Sequence, residues 1–404
     1  MFRFDATRSG ISPETAIGAS NAASLGVAWD QNLGGSVFSS PAVVFNSTLG
    51  KRVVYVGYKK GVAALDAATG TVIWQRAAGR VLSSPAVAGG VVYVGSANHY
   101  LYALDAATGK LDCRFQTAGV ISSSPVVADP DGKGQVVYVG DSGPSGGSAD
   151  GGHMWAINAV DPNSAANCSA KWSFNGFSNP GSGVWSSPAY ATDRFGAPLV
   201  VFGSSDPDDS IVALNAVTGH QKWSFFAKAG KDSDVGSSPA VTAPGVNGFK
   251  GGAVYIGTKY GDMYALNLTT GAMIWDYNAR PDDITHEGFR SSASVVGSEV
   301  YVGSGGGVYA WDAVTGARTW LDASLKTVAS PAITGAPGDQ IAFIGDMSGT
   351  FNALDLTTGD DLWTMASGAP FIYSSAAVSN GMIFVGTASG DVFALAPGAG
   401  ARAG

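Results

Sequence analysis

Residues 83–115 read SSPAVAGGVVYVGSANHYLYALDAATGKLDCRF. The stretch breaks into short apolar runs separated by turn residues: AV after the Ser-Ser-Pro, VVYVG, LYALD, and a last run after Thr-Gly. LYALD alternates with period two, and the β-branched and aromatic content suits half-buried strands. Gly and Asx residues between the runs supply turns. One such unit is a sheet of four short strands.

The unit recurs. SSPAV or a near copy begins at Ser39, Ser83, Ser123, Ser186, Ser237, Ser291, Ala329 and Ser374. The mean spacing of about 48 residues is that of propeller blades. VVYVG recurs at 53–57, AVYIG stands at 253–257 and MIFVG at 382–386. The eighth unit stops after Phe393-Ala394-Leu395 without a last strand, while SLGVAW, Ser24 to Trp29, precedes the first unit. Residues 24–30 are expected to complete the eighth blade and so remove the exposed sheet edges. The fold class is therefore all-β: one domain over residues 1–404, an eight-bladed propeller of four-stranded antiparallel blades, with 396–404 as a tail.

Composition agrees. The 404 residues are 45% hydrophobic and 13% charged, with 57 Gly, a mix for a β-rich globular chain rather than a disordered one. The net charge of −8, without a Lys/Arg cluster, argues against nucleic acid or an anionic membrane surface as partner. No apolar run reaches the length of a membrane span. No C-x-x-C-H, phosphate loop or Ser/His/Asp triad stands out, and the four His are scattered without ligand spacing. Asp129–Gly134, DPDGKG, reads as a turn.

Within the repeat, VAALDAATGTVIW (62–74), IVALNAVTGHQKW (211–223) and NALDLTTGDDLW (352–363) share one phrase. It resembles the tryptophan-docking motif A-x-D-x-x-T-G-x-x-x-W of the quinoprotein, pyrroloquinoline quinone (PQQ)-dependent alcohol dehydrogenase propellers. In that family each Trp packs on the Gly of the next blade's motif. Blade two has Cys113 at its Trp place, and blade three reads NCSAKW, with Cys168 at its Gly place. The resemblance implies a Cys113–Cys168 disulfide in place of one docking contact, closing a loop of about 55 residues and contributing on the order of 4 kcal/mol. Two unrelated buried thiols are the alternative. A disulfide implies an oxidising compartment, so the expected location is secreted, periplasmic or otherwise extracytoplasmic, with the export signal trimmed.

The resemblance extends over nearly the whole chain. TRSGISPETAIGASNAASLGVAW, 7–29, is similar to the start of the family's propeller domain. GVWSSPAY, 183–190, resembles the segment whose Trp forms the floor beneath the quinone, which implies that role for Trp185. DSDVGSSP, 232–239, resembles the D-x-D-x-G-S-S-P run of the polyvinyl alcohol dehydrogenase branch. That implies Asp232 as catalytic base and Asp234 beside the metal. GTKYG, 257–261, puts Lys259 where the family keeps a cation near the quinone oxygens, and Asp206, in GSSDP, stands where it has an Asn ligand. PQQ and calcium are the implied cofactors. The chemistry suits these types: a planar anion takes an aromatic floor and a cation, calcium takes oxygen ligands, and a carboxylate removes the alcohol proton. Each residue taken alone also fits a bland role in packing, a turn or solvation.

The chain departs from the family pattern. It has no adjacent Cys pair, no Arg at the expected place and no clear counterpart of the blade-three Glu ligand. The SSP in nearly every blade also resembles the non-enzymatic outer-membrane assembly lipoprotein propeller. Two functions follow: an exported PQQ-type dehydrogenase acting on a small-molecule or polymeric alcohol through an altered site, or a non-catalytic scaffold that binds a ligand or protein on the blade three-to-six face. That face is expected to carry the site because the long segments 141–153, 175–184, 204–210, 226–236 and 276–289 gather there. A monomer is expected.

Overall fold

The computed structural model describes residues 2–144, 151–161, 167–177, 182–227, 233–280 and 287–400. The eight sequence units form eight four-stranded antiparallel sheets, with the first strands of successive blades touching around the axis. In blade 1 the strands are Ala42–Asn46, Lys51–Tyr58, Gly61–Asp66 and Val72–Ala77. Each SSP phrase lies just before an innermost strand, so the blades begin about three residues later than the phrase itself. Two one-turn 3₁₀ segments are the helical content of the described residues.

Blade 8 comprises Ala377–Ser379, Met382–Gly386, Asp391–Pro397 and, from the other end of the chain, Leu25–Asn32. Leu25 pairs with Pro397 and Asn32 with Asp391. The closing strand thus starts one residue later and runs two residues further than the sequence suggests, and the tail begins later. Both strand ends find backbone partners, which is what extends them.

The third and fourth strands share one irregularity. In blade 1 the register shifts between Ala64 and Leu65, and the same shift follows Ala103, Ala156, Ala213, Ala265, Ala310 and Ala353. Such bulges sharpen the strand twist. They set each docking-position residue opposite a small Ala: Trp74 on Ala64, Cys113 on Ala103, Trp223 on Ala213. The Trp ring then reaches the next blade. Trp74 Nε1 donates to Ala106 O at 3.1 Å, and a Cβ on Gly109 would lie 2.6 Å from its ring. Trp29, Trp172, Trp223, Trp275 and Trp320 make the same bond to a carbonyl of the following blade, at 2.9–3.1 Å. Between blades 2 and 3 the contact is the Cys113–Cys168 disulfide, Cα–Cα 6.0 Å. Cys168 has φ +55° and Gly109 +69°, so the Cys occupies the left-handed backbone that Gly holds elsewhere.

The SSP serines hold the inner wall. Ser39 Oγ donates to Gly57 O at 2.9 Å and accepts from Gly57 N at 2.7 Å, tying the connection to the second strand. Ser83 with Gly95 and Ser237 with Gly257 repeat this. In blade 7, where Ala329 replaces the serine, Thr327 Oγ1 bonds Gly345 O at 2.6 Å instead. The second serines form a closed ring. The N–H of Ser40 donates to Ser84 Oγ, Ser84 to Ser124, Ser124 to Ser187, Ser187 to Ser238, Ser238 to Ser292, Ser292 to Ser330, Ser330 to Ser375 and Ser375 back to Ser40, all at 2.8–3.0 Å.

Residues 2–12 run along the inner wall rather than outside it. Carbonyls of Ala6, Thr7, Ser9 and Gly10 accept from Tyr190, Val241, Val295 and Ile333, on the inner strands of blades 4 to 7. Arg3 and Arg8 are thereby buried on the axis.

Candidate functional site

One layer above the serine ring, the residue immediately before each SSP phrase faces a central cavity of about 480 Å³. All eight blades contribute: Phe38, Leu82, Ser122, Trp185, Gly236, Arg290, Val328 and Tyr373. The SSP backbone is fixed by its serines, so this preceding position is presented inward in every blade and is free to vary. Trp185 is the large aromatic of the layer and is 44% exposed to the cavity. Arg80, Lys259 and Arg290 add three cations, and no carboxylate lines the cavity among the described residues. In a chain of net charge −8, that is a local reversal of sign suited to an anion.

The acidic groups lie beside the cavity. Lys259 Nζ stands 5.6 Å from the Trp185 ring centroid and 2.8 Å from Asp234 Oδ2. The other oxygen of Asp234, Oδ1, accepts from the Asp206 N–H at 2.7 Å. Asp234 is 3% exposed; burial holds its pKa above the usual carboxylate value, and the Lys259 bond only partly offsets this. Asp206, Asp209 and Asp234 each place a carboxylate oxygen within 4.8 Å of the others. Asp209 was not singled out from the sequence, although three Asp in SSDPDDS marked the loop. Its Oδ1 is buried without a hydrogen-bond partner among the described residues. Burial first, then Asp206, pushes its pKa up to about 7. Two buried carboxylates crowded against the exposed Asp206, with an unused oxygen on Asp209, fit a hard cation.

The structure therefore brings together four of the five residues expected at the site: Trp185, Lys259, Asp206 and Asp234. The fifth, Asp232, lies outside the described residues, as do parts of the long segments expected on this face. Asp206 and Asp209 come from the loop between the second and third strands of blade 4, Lys259 from the equivalent place in blade 5, and Asp234 from the connection joining those blades. Arg80 and Tyr373 come from blades outside the three-to-six region. Their signal was the pre-SSP layer for Tyr373, and none for Arg80. Blade 3 offers Asp141 at the cavity side of its second strand, but its oxygens are engaged by Trp155 Nε1 at 2.6 Å and Gly143 N at 2.7 Å. The DPDGKG segment is a turn, with Gly134 N on Asp129 Oδ1 at 3.4 Å.

Comparison with known proteins agrees with this architecture. The PQQ_2 family model, described as outer membrane protein assembly factor BamB, matches residues 13–161, 58–189 and 177–365. The quinoprotein ethanol dehydrogenase of Pseudomonas aeruginosa is 28% identical over 163 residues, 35% of this chain and 25% of that protein. The outer membrane protein assembly factor BamB of Yersinia pestis is 26% identical over 245 residues, 55% of this chain and 53% of that one. The matches thus span a quarter to about half of these relatives. A europium-containing methanol dehydrogenase superposes with a TM-score of 0.78 at 18% identity, covering 98% of this chain and 97% of that one. The chain belongs to the PQQ_2 family of propellers, resembling the PQQ-dependent alcohol dehydrogenases as well as the assembly factor.

Proposed function

We propose that the protein is an exported quinoprotein-type dehydrogenase that oxidises an alcohol at the cavity beside Trp185, through an altered cofactor site. The observation that carries this reading is Asp234: a buried carboxylate held by Lys259 and by the Asp206 N–H, next to a half-exposed Trp and two further carboxylates. The residues fit PQQ and a hard cation on their own evidence: an aromatic face, a cation-lined wall without acids, and the unpartnered buried oxygen of Asp209. Trp185 would provide the stacking floor, Arg80, Lys259 and Arg290 would face the carboxylates of the quinone, and Asp206, Asp209 and Asp234 would hold calcium or a similar ion. When bound, the quinone supplies the two-electron acceptor for hydride from the alcohol carbon, with the cation polarising its carbonyl.

The chain's own residues supply the rest. Lys259 orients Asp234 and offsets part of its charge. Asp232, two residues earlier, takes the alcohol proton as general base. The altered features are the Asp at position 206, the lack of an adjacent Cys pair and the lack of the expected Arg and blade-three Glu. Export is favoured by the disulfide, which persists in oxidising compartments.

Calorimetric titration with PQQ in the presence of calcium, alongside a dye-linked assay on primary alcohols, tests this reading. Binding at or below tens of micromolar, about 6 kcal/mol or better, with dye reduction is the expected result. The similarity to the assembly factor favours a second reading, a non-catalytic scaffold, which predicts neither binding nor turnover.

A further inference from the structure

The serine ring and the arginines next to it have no part in that reaction. Arg8 donates from Nε to Pro188 O at 2.9 Å, from Nη1 to Phe2 O at 2.9 Å and from Nη2 to Ser124 O at 2.8 Å. Arg3 donates from Nη1 to Pro331 O at 2.6 Å and from Nη2 to Ala293 O and Ser294 Oγ. Ser124 belongs to the ring, and Pro188, Ala293 and Pro331 each follow a ring serine directly. The two guanidinium groups therefore bond to backbone within about one residue step, ~3.3 Å of strand, of the ring. Arg8 is 0% exposed and Arg3 6%. Neither forms an ion pair among the described residues. The one carboxylate whose charge both feel, Asp5, accepts instead from Thr7 and Ser9. Backbone carbonyls and Ser294 Oγ accept from these groups but carry only partial charge, Arg3 Nε is buried without a partner among the described residues, and a buried cation without a counter-charge is unfavourable.

The ring itself has donors to offer. A serine hydroxyl has one proton and two lone pairs. Each ring Oγ accepts from its neighbour's N–H, and no described residue accepts its proton. All eight serines are 3–5% exposed, and six of them line the central cavity. The remaining two, Ser40 and Ser375, border a second chamber of about 180 Å³ shared with Arg3.

We propose that this ring is an anion site on the propeller axis: a small anion takes hydroxyl protons from the ring serines and balances the charge of Arg3 and Arg8. Its chemistry is that of a halide or a carboxylate group. Either a free ion or the carboxylate arm of a larger ligand supplies it. The hydroxyls make the contacts; the arginines, whose terminal nitrogens are committed to the backbone and Ser294, act through their field. The site is distinct from the Asp206–Asp209–Asp234 cluster and needs neither quinone nor metal.

The test uses the full chain without PQQ or calcium. Thermal melting is followed in sodium chloride, bromide and formate, each exchanged for sodium gluconate at constant ionic strength. Chloride and bromide should raise Tm saturably by several degrees over gluconate, which is too bulky to enter. Bromide-soaked crystals should show an anomalous peak within the ring. Because Arg8→Met risks misfolding, the variant used is Ser84→Ala with Ser292→Ala, checked for native circular dichroism; it should weaken the halide response at least tenfold in apparent affinity. A response to formate but not to halides assigns the site to a carboxylate arm. Equal melting in all four salts overturns the proposal. So does a bromide peak whose salt response the serine variant leaves unchanged, which would mark an adventitious ion only. None of these outcomes touches the dehydrogenase reading, which stands or falls on PQQ.

Discussion

The Cys113–Cys168 disulfide holds the place between blades 2 and 3 that the Trp74–Gly109 contact holds one blade earlier. Cys113 stands opposite Ala103 as Trp74 stands opposite Ala64, and Cys168 has the positive φ of the docking Gly. Removing the bond with Cys113→Ala and Cys168→Ala should cost about 2–5 kcal/mol, read as a lowered Tm. Cys113→Trp with Cys168→Gly should recover part of that loss, because Gly relieves the left-handed backbone and the indole can reach across the blade boundary. If the Trp/Gly pair melts no higher than the Ala pair, the two contacts are not equivalent.

Ring closure gives a second prediction. Residues 25–32 form the outer strand of blade 8, and Trp29 bonds Ala67 O of blade 1 at 3.0 Å. Deleting residues 1–32 bares the Asp391–Pro397 edge and also empties the axis of Arg3 and Arg8, so the product should self-associate during sizing chromatography. Trp29→Ala keeps the strand and should destabilise by about 3–5 kcal/mol, the usual effect of losing a buried aromatic. A monomeric truncation with unchanged melting would contradict the closure.

The fold was open to reading because every blade repeats one pattern of strand period and turn. Even the crosslink could be inferred, since two departures from the repeat complemented each other. The site was only partly legible. Trp185, Asp206, Asp234 and Lys259 sat in recognisable phrases, whereas Asp209 depended on a loop that folds it back over Asp206. The N-terminal segment carried no strand pattern at all. Its course along the axis follows from backbone hydrogen bonds to inner strands far away in sequence, which local composition does not encode. The position before each SSP was not singled out from the sequence, because its meaning required knowing which way the connection turns.

Asp209 yields a pH prediction. Its folded pKa of about 7 lies well above the ordinary carboxylate value of 3.8. Between these values the native state holds a proton that the unfolded chain has lost, so stability from this group falls as pH rises through about 4 to 7 and is fully lost above. Asp209→Asn should flatten that slope and raise Tm at pH 8 while changing little at pH 4. Calcium or a lanthanide should raise the wild-type Tm more at pH 8 than at pH 5, because the proton competes for the same oxygen, and the Asn variant should lose most of this response. Identical melting of the two proteins at pH 8, with and without the ion, would remove Asp209 from the cluster.

Two substitutions separate holding the cofactor from using it. Trp185 offers a large half-exposed aromatic face to the cavity, so Trp185→Ala should weaken PQQ binding by about tenfold to a hundredfold, the equivalent of about 1.4–2.8 kcal/mol. Asp232→Asn keeps the size and polarity of the side chain and removes the base. A base acts on the alcohol proton rather than on the bound quinone, so turnover should drop by at least a hundredfold while PQQ affinity stays within about threefold of wild type. Lys259→Met lies between the two: it strips the cation from Asp234, leaves that buried carboxylate unpaired and should reduce both binding and rate. Calorimetry gives the affinities, and single-turnover reduction of the bound quinone gives the rate free of substrate binding. Should Asp232→Asn retain wild-type turnover while Asp234→Asn abolishes it without loss of PQQ, the base is Asp234, the carboxylate already held between Lys259 and the Asp206 N–H.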